Sequence, residues 1–367
     1  MTATDQTLLT LVRSAIADGL DIQTIHIPSE VDWNLLYRKG KVQSVGVIAV
    51  DGLERILTLY PDIELYYPEG RENLIQRRKW MSQSVVVERK YADHAKIMAD
   101  LSALYSQNGI RMMVLKGYGA SLNYPIPSHR PGGDIDTYHF GMFAEADDLV
   151  HEKLGVEIDR SHHHHTVFRY NGVMVENHYD FINVHAHKDA PLIEAKLKEL
   201  AAYSTETVDI LGEEIVLPCA DFNAIFLMRH LGQHFAGERV ILRQLLDWGL
   251  FMKKHSHEVD WEAIGPFMKK IGLWDFCCVI NAICVEYLGI SPECFPEISE
   301  NHDLVSRVME DVLSPEFSEK EPKPFVKKWC FKSRRWWANR WKHRFIYSDS
   351  LLGTAVTLAL SHIRKPK

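Results

Sequence analysis

The 367-residue sequence is short of the features that mark exported, membrane-spanning or nucleic-acid-binding chains. Its six cysteines, Cys219, Cys277, Cys278, Cys284, Cys294 and Cys330, include no Cys-x-x-Cys pair and no regular framework, which speaks against a disulfide scaffold and for reduced, buried thiols. The first twenty residues, MTATDQTLLTLVRSAIADGL, lack the basic start and apolar block of a signal peptide and already carry a helical period. Export is therefore not expected, and a cytoplasmic location is. No apolar run reaches the about 20 residues that a membrane-crossing helix needs, and LLGTAVTLALSHI from Leu351 falls short of it. Positive charge is not in excess either: a formal net charge of -7 leaves no general attraction to nucleic acid. Internal repeats and low-complexity segments are missing as well.

What is present is an ordinary globular composition, with 46% hydrophobic and 25% charged residues, on a chain long enough for two or three folding units. Apolar positions recur at three- and four-residue spacing from Thr7 to about Leu104, including a stripe of Tyr91, His94, Ile97, Met98 and Leu101. This predicts an N-terminal helical region over 1–104. Short strand-like runs dominate 105–217, and a second helical region over 218–367 begins after Pro218. Within it WDFCCVINAICVEYL, apolar nearly all round, reads as a buried helix, and SPEFSEKEPKP from Ser314 as the best linker candidate. The fold class expected is α+β, a mixed-sheet core flanked by helices.

The residues that carry chemistry follow Arg111. RMMVL is an apolar run of strand length, KGYGASLNYP a tight turn opening a short helix, and PIPSHRPGG a loop rich in proline and glycine. The next segment, DIDTYHF, alternates Asp134, Asp136 and Tyr138 with Ile135 and Thr137. On a strand, residues two apart share a face with Cα atoms about 7 Å apart, so the two aspartates repel unless a cation joins them. Mg²⁺ takes a few carboxylates together with waters and phosphate oxygens, which one strand and a nucleoside triphosphate supply. An exposed strand face produces the same Asp-x-Asp, so the neighbours decide. Gly117 and Gly119 open a helix where backbone N–H groups can hold phosphate; Lys116 offers a point charge and Arg130 a bidentate fork. A simple turn and a surface loop are the plain alternatives for each alone. Downstream, Asn171-Gly172 between two strand-like runs is a strong hairpin signal and places Glu176 on the return strand.

The run VLKGYGASLNYPIPSHRPGGDIDTYHF, Val114 to Phe140, resembles the core motif of an uncharacterised family of bacterial nucleotidyltransferases in the DNA polymerase β-like nucleotidyltransferase superfamily. Asp32-Trp33, the later strand with Glu176-Asn177-His178, and a helical tail with His230, His234 and Asp247 extend the resemblance over most of residues 30 to 255. It implies that Asp134 and Asp136 ligate Mg²⁺, two ions in all, with Glu176 as third carboxylate and Asp180 as the alternative. It further implies that Gly117 lies against the triphosphate. The reaction implied moves a nucleoside monophosphate from a triphosphate such as ATP to an acceptor (sugar, small molecule or protein) and releases pyrophosphate. Glu176 would draw the proton from the acceptor hydroxyl. Two differences stand out: Gly117-Tyr118-Gly119 replaces the superfamily's Gly-Ser or Gly-Gly, and Glu176 replaces an aspartate. The reading from another class is a catalytically silent nucleotide- or partner-binding protein on the same fold.

Two further clusters call for a reading. His162 to His165, extended by His178, His185 and His187, fits a zinc hydrolase as a rival enzyme or simply histidines on strands and surface. His230 and His234 share a helix face and either line the cleft or pack between helices. KKWCFKSRRWWANRWKHRF, residues 327–345, interleaves basic residues with Trp329, Trp336, Trp337 and Trp341. That pattern suits an anionic membrane surface or single-stranded nucleic acid, or a terminal helix packed on the helical region, which is the reading preferred.

Overall fold

Two tight turns organise the β-structure. Asn171-Gly172 and Leu211-Gly212 all have positive φ (49°, 81°, 56° and 92°), the geometry that lets two-residue loops follow the twist of their strands. In the computed structural model, which describes residues 1–27, 31–63, 71–317 and 325–347, these turns join β3 (His165–Tyr170) to β4 (Val173–His178) and β5 (Thr207–Ile210) to β6 (Glu213–Val216). With β1 (Met113–Leu115) and β2 (Ile135–Tyr138) they build one six-stranded sheet in the order β3-β4-β2-β1-β6-β5. β2 runs parallel to β4 and β1 parallel to β6, whereas β1 and β2 are antiparallel, so the sheet is mixed.

Helices cover both faces. α1 (Ala3–Ile16), α2 (Trp33–Val42), α3 (Gly46–Leu59) and the long α4 (Arg71–Ser106) precede the sheet, and α5 (Lys116–Ser121), α6 (Phe143–Leu154) and α7 (Ala190–Ala202) lie between strands. α8 (Ala220–Gly237), α9 (Leu242–His255), α10 (Trp261–Lys270), α11 (Trp274–Leu288), α12 (His302–Leu313), α13 (Phe325–Ala338) and α14 (Arg340–Ile346) follow. The chain is thus a mixed-sheet core flanked by helices, the class expected. Among the described residues no single helix is long and apolar enough to cross a membrane. Residues 318–324 of the stretch read as a linker, and the apolar stretch from Leu351, lie outside the described residues.

Strand alternation sorts the side chains. Val114, Ile135, Phe168, Val175 and Ile215 point to one face and pack with Ile97, Met98, Leu101 and Tyr105 of α4 and Ala146 and Val150 of α6. Full burial of each such large side chain contributes roughly 1.5–3 kcal/mol. Met113, Leu115, Tyr138 and Val216 point the other way, into a larger core shared with α1, α3 and α8 to α12. The polar residues of the second face are therefore roofed by the later helices. Asp32, on the motif flank, caps α2 by accepting from the Leu35 amide at 2.9 Å, and buried Trp33 meets Trp80 of α4 at 6.3 Å between rings.

Candidate active site

The end of β1 sets the geometry. Leu115 pairs with Asp136 on β2, and Asp136 pairs directly with Glu176 on parallel β4. Alternation then puts Asp136, Glu176 and His178 on one face, with Asp134 one residue ahead of β2. Just beyond Leu115 the chain turns sharply, with φ of +34° at Lys116 and +23° at Gly117. Gly117 combines that φ with a ψ of -100°, a conformation that strains any residue bearing a Cβ. Tyr118 stacks on Tyr91 of α4 with ring centroids 4.6 Å apart and anchors the turn. The turn delivers Lys116 Nζ to 2.8 Å from Asp136 Oδ1, with the Phe226 ring of α8 above it at 6.0 Å.

His178 completes the group. Its Nδ1 is 3.2 Å from the carbonyl oxygen of Asp180, which can only accept, so the ring hydrogen sits on Nδ1. Nε2 then faces Asp136 Oδ1 at 3.1 Å and Glu176 Oε2 at 3.6 Å. His165, paired with His178 across the β3–β4 ladder, brings its Nε2 to 3.8 Å from Glu176 Oε1. His164 adjoins both, its ring centroid 4.3 Å from that of His165 and 5.7 Å from that of His178.

Burial opposes charge throughout this pocket, and the neighbours decide which charges survive. Burial pushes the Asp136 carboxyl up, but Lys116 and His178 hold it well below the usual carboxylate range. Burial also works against Glu176, and the hydrogen bond from His178 lowers it. Asp134 goes the other way: burial and the charge of Asp136 raise it, and Lys116 offsets only part. Burial pulls Lys116 down, yet Asp136, Asp134 and Glu176 raise it overall. For His164 burial, aided by His178, lowers the pKa to about 2, and His165 falls to about 4 for the same reasons.

The donor set fits a divalent cation. One ligand atom each of Asp136, Glu176 and His178 lies within 4.8 Å of the others, and two of the three are carboxylate oxygens, whose mutual repulsion a cation would relieve. A second set, His164, His165 and His178, meets the same criterion and shares His178 with the first.

The other residues singled out by sequence lie as follows. Gly119 sits in the turn after Gly117, beside the Leu217 side chain. Arg130 is 4% exposed and grips a carboxylate inside the protein: its Nε and Nη2 donate to Asp247 Oδ1 and Oδ2 at 2.7 and 2.8 Å, and Tyr124 donates to the same group at 2.7 Å. The fork expected to meet phosphate is occupied by Asp247 of α9. Asp180 pairs with Lys198 of α7, away from Asp136. His230 and His234 are in ring contact at 4.5 Å, and burial together with Lys116 holds His230 well below its ordinary value. His187 stacks on Tyr347 at 3.6 Å and meets His343 at 5.8 Å between ring centroids. In the basic aromatic segment Lys342 is buried on Asp311, Trp341 meets Phe235 at 5.5 Å, and Trp337 is exposed. Sequence reasoning underrated His178, His164 and His165. The signal was there: Glu-x-His on a strand puts 176 and 178 on one face, and a Gly-closed hairpin brings 165 opposite 178.

No curated protein sequence matches the chain. A crystal structure of an antigenic nucleotidyltransferase-like protein from Paracoccidioides brasiliensis is similar at 12% identity and a TM-score of 0.32, covering 56% of this chain and 93% of that one. Residues 29–289, which contain the six described strands and the carboxylate group, match the uncharacterised nucleotidyltransferases, and the chain belongs to that family.

Proposed function

We propose that this nucleotidyltransferase uses Mg²⁺, held by Asp134, Asp136 and Glu176, to move a nucleoside monophosphate from a nucleoside triphosphate to an acceptor hydroxyl, releasing pyrophosphate. The observation that carries the reading is the register pairing of Asp136 with Glu176 beside the Lys116-Gly117 turn. Divalent cations bound there would neutralise the triphosphate oxygens and favour departure of pyrophosphate. The chain's own groups do the rest. Gly117 leaves the turn's backbone open to a phosphate oxygen, and Lys116, already drawn to Asp136 at 2.8 Å, supplies a mobile point charge. Glu176, kept ionised beside His178, is placed to accept the acceptor's proton. The Phe226 ring of α8 lies over Lys116 at 6.0 Å and narrows the approach to it. Arg130 acts as a positioning residue that fixes the loop before Asp134 against α9.

The direct test is incubation of the purified chain with each labelled nucleoside triphosphate and Mg²⁺, reading pyrophosphate release and transfer of label to protein or to cell-extract components. Release that needs both Mg²⁺ and an intact Asp136 supports the transfer. Absence of release and of label with all four triphosphates, from a folded protein that holds Mg²⁺, would remove it.

A further inference from the structure

The histidines at the carboxylate edge outnumber what an all-oxygen magnesium site uses. His165 is 7% exposed, and its Nδ1 has no hydrogen-bond partner; the Nδ1 of His164 is likewise buried and unpartnered. His178 has an arrangement shared with metal-bound imidazoles: one nitrogen donates to a backbone carbonyl, Asp180 O at 3.2 Å, and the other faces carboxylate oxygens of Asp136 and Glu176 at 3.1 and 3.6 Å. That nitrogen meets the two carboxylates through a proton, and a metal ion can take the proton's place.

We propose that His164, His165 and His178 contribute imidazole nitrogen to a first-row transition-metal ion of the Zn²⁺ or Co²⁺ kind, seated at the edge of the Asp136–Glu176 pair. The proposal rests on the transfer reading for the importance of that pair, and it adds to it a second, nitrogen-bound metal. Mg²⁺ takes oxygen ligands in an octahedral shell, whereas imidazole suits the later first-row ions. The shared His178 makes the two positions neighbours. The hairpin explains how the sequence achieves this: register pairs His165 with His178, and parallel pairing of β4 with β2 sets Glu176 against Asp136.

Nearly every nitrogen- and oxygen-donor site prefers later first-row ions to Mg²⁺, so affinity alone decides nothing and dependence on the histidines does. The chelator-stripped protein is titrated with Co²⁺, following visible absorption and calorimetry, and X-ray absorption at the cobalt edge of the unaltered protein looks for imidazole scattering. We expect imidazole in the shell, and a fall of tenfold or more in Co²⁺ affinity for both His165→Gln and His178→Gln with an unchanged circular dichroism spectrum. Mg²⁺ affinity of His165→Gln should stay within a few-fold of the parent. An all-oxygen cobalt shell, or full Co²⁺ affinity in the His165→Gln protein, overturns the proposal. The transfer reading has its own outcome: Mg²⁺-dependent pyrophosphate release with an all-oxygen cobalt shell sinks only the nitrogen site. Imidazole-bound cobalt with no release under any metal sinks only the transfer.

Discussion

At the scale of the residue, Asp134 and Asp136 share a motif but not an environment, and they should respond differently to the same change. Asp136 is buried against Lys116 and His178, so Asp136→Asn leaves a lysine and a polarised imidazole without their partner. Breaking a buried pair in this way costs about 3–5 kcal/mol, and Lys116 keeps some access to water, so the lower figure is expected. Asp134→Asn instead removes a carboxylate whose pKa is raised by burial and by Asp136, and it should leave stability unchanged or slightly higher. Both substitutions are expected to abolish pyrophosphate release. Urea unfolding of the two variants beside the activity assay separates the effects; equal loss of stability in both would contradict the assignment of Lys116 to Asp136.

At the scale of the element, close approach and a charged pin position the helices around the sheet. α1 and α3 cross at Gly52, where an added Cβ would stand 1.8 Å from the Leu11 carbonyl oxygen. Because that neighbour is backbone, the helices must separate, and Gly52→Ala is expected to lower stability by about 3 kcal/mol in denaturant titration. The pin is His129, whose Nδ1 meets Asp51 of α3 and whose Nε2 meets Glu88 of α4, both at 2.8 Å. The hydrogen bond to Asp51 raises its pKa to about 8, burial offsets part of this, and Glu88 adds to it. The raised value fixes the sign. The protonated contact contributes fully below the unfolded value of about 6.5 and is lost as the pH climbs through about 8. Thermal midpoints measured across that window should decline in the parent and flatten in His129→Gln; parallel slopes would show that the pin does not act.

At the scale of the whole molecule, the loop carrying the site is tied to the later helices through Arg130, Asp247 and Tyr124. Asp247→Asn should cost about 3–5 kcal/mol because it strands a fully buried guanidinium. Arg130→Lys keeps the charge but loses the two parallel bonds, and a double-mutant cycle with Asp247 should show strong coupling. The same variant tests the role of Arg130. If calorimetry with a non-hydrolysable triphosphate and Mg²⁺ shows binding reduced no further than the stability loss explains, Arg130 positions the loop; a selective loss of binding would return it to the phosphate.

The first hairpin turn and the alternation that puts carboxylates on one strand face follow from nearest-neighbour chemistry, so they were legible in the sequence: Asn171-Gly172 needs no distant partner to turn. The Lys116-Gly117 bend and the Asp134–Asp136 pair were readable for the same reason. Which strand lies beside which was not, because the order β3-β4-β2-β1-β6-β5 depends on long-range burial of the two sheet faces. That order alone decides that Glu176 stands opposite Asp136 while Asp180, four residues on, turns to Lys198 of α7. Arg130 shows the limit most clearly. Its sequence neighbourhood offers a phosphate ligand, but a carboxylate 117 positions away claims the fork, since burial of a guanidinium demands a partner and α9 brings one.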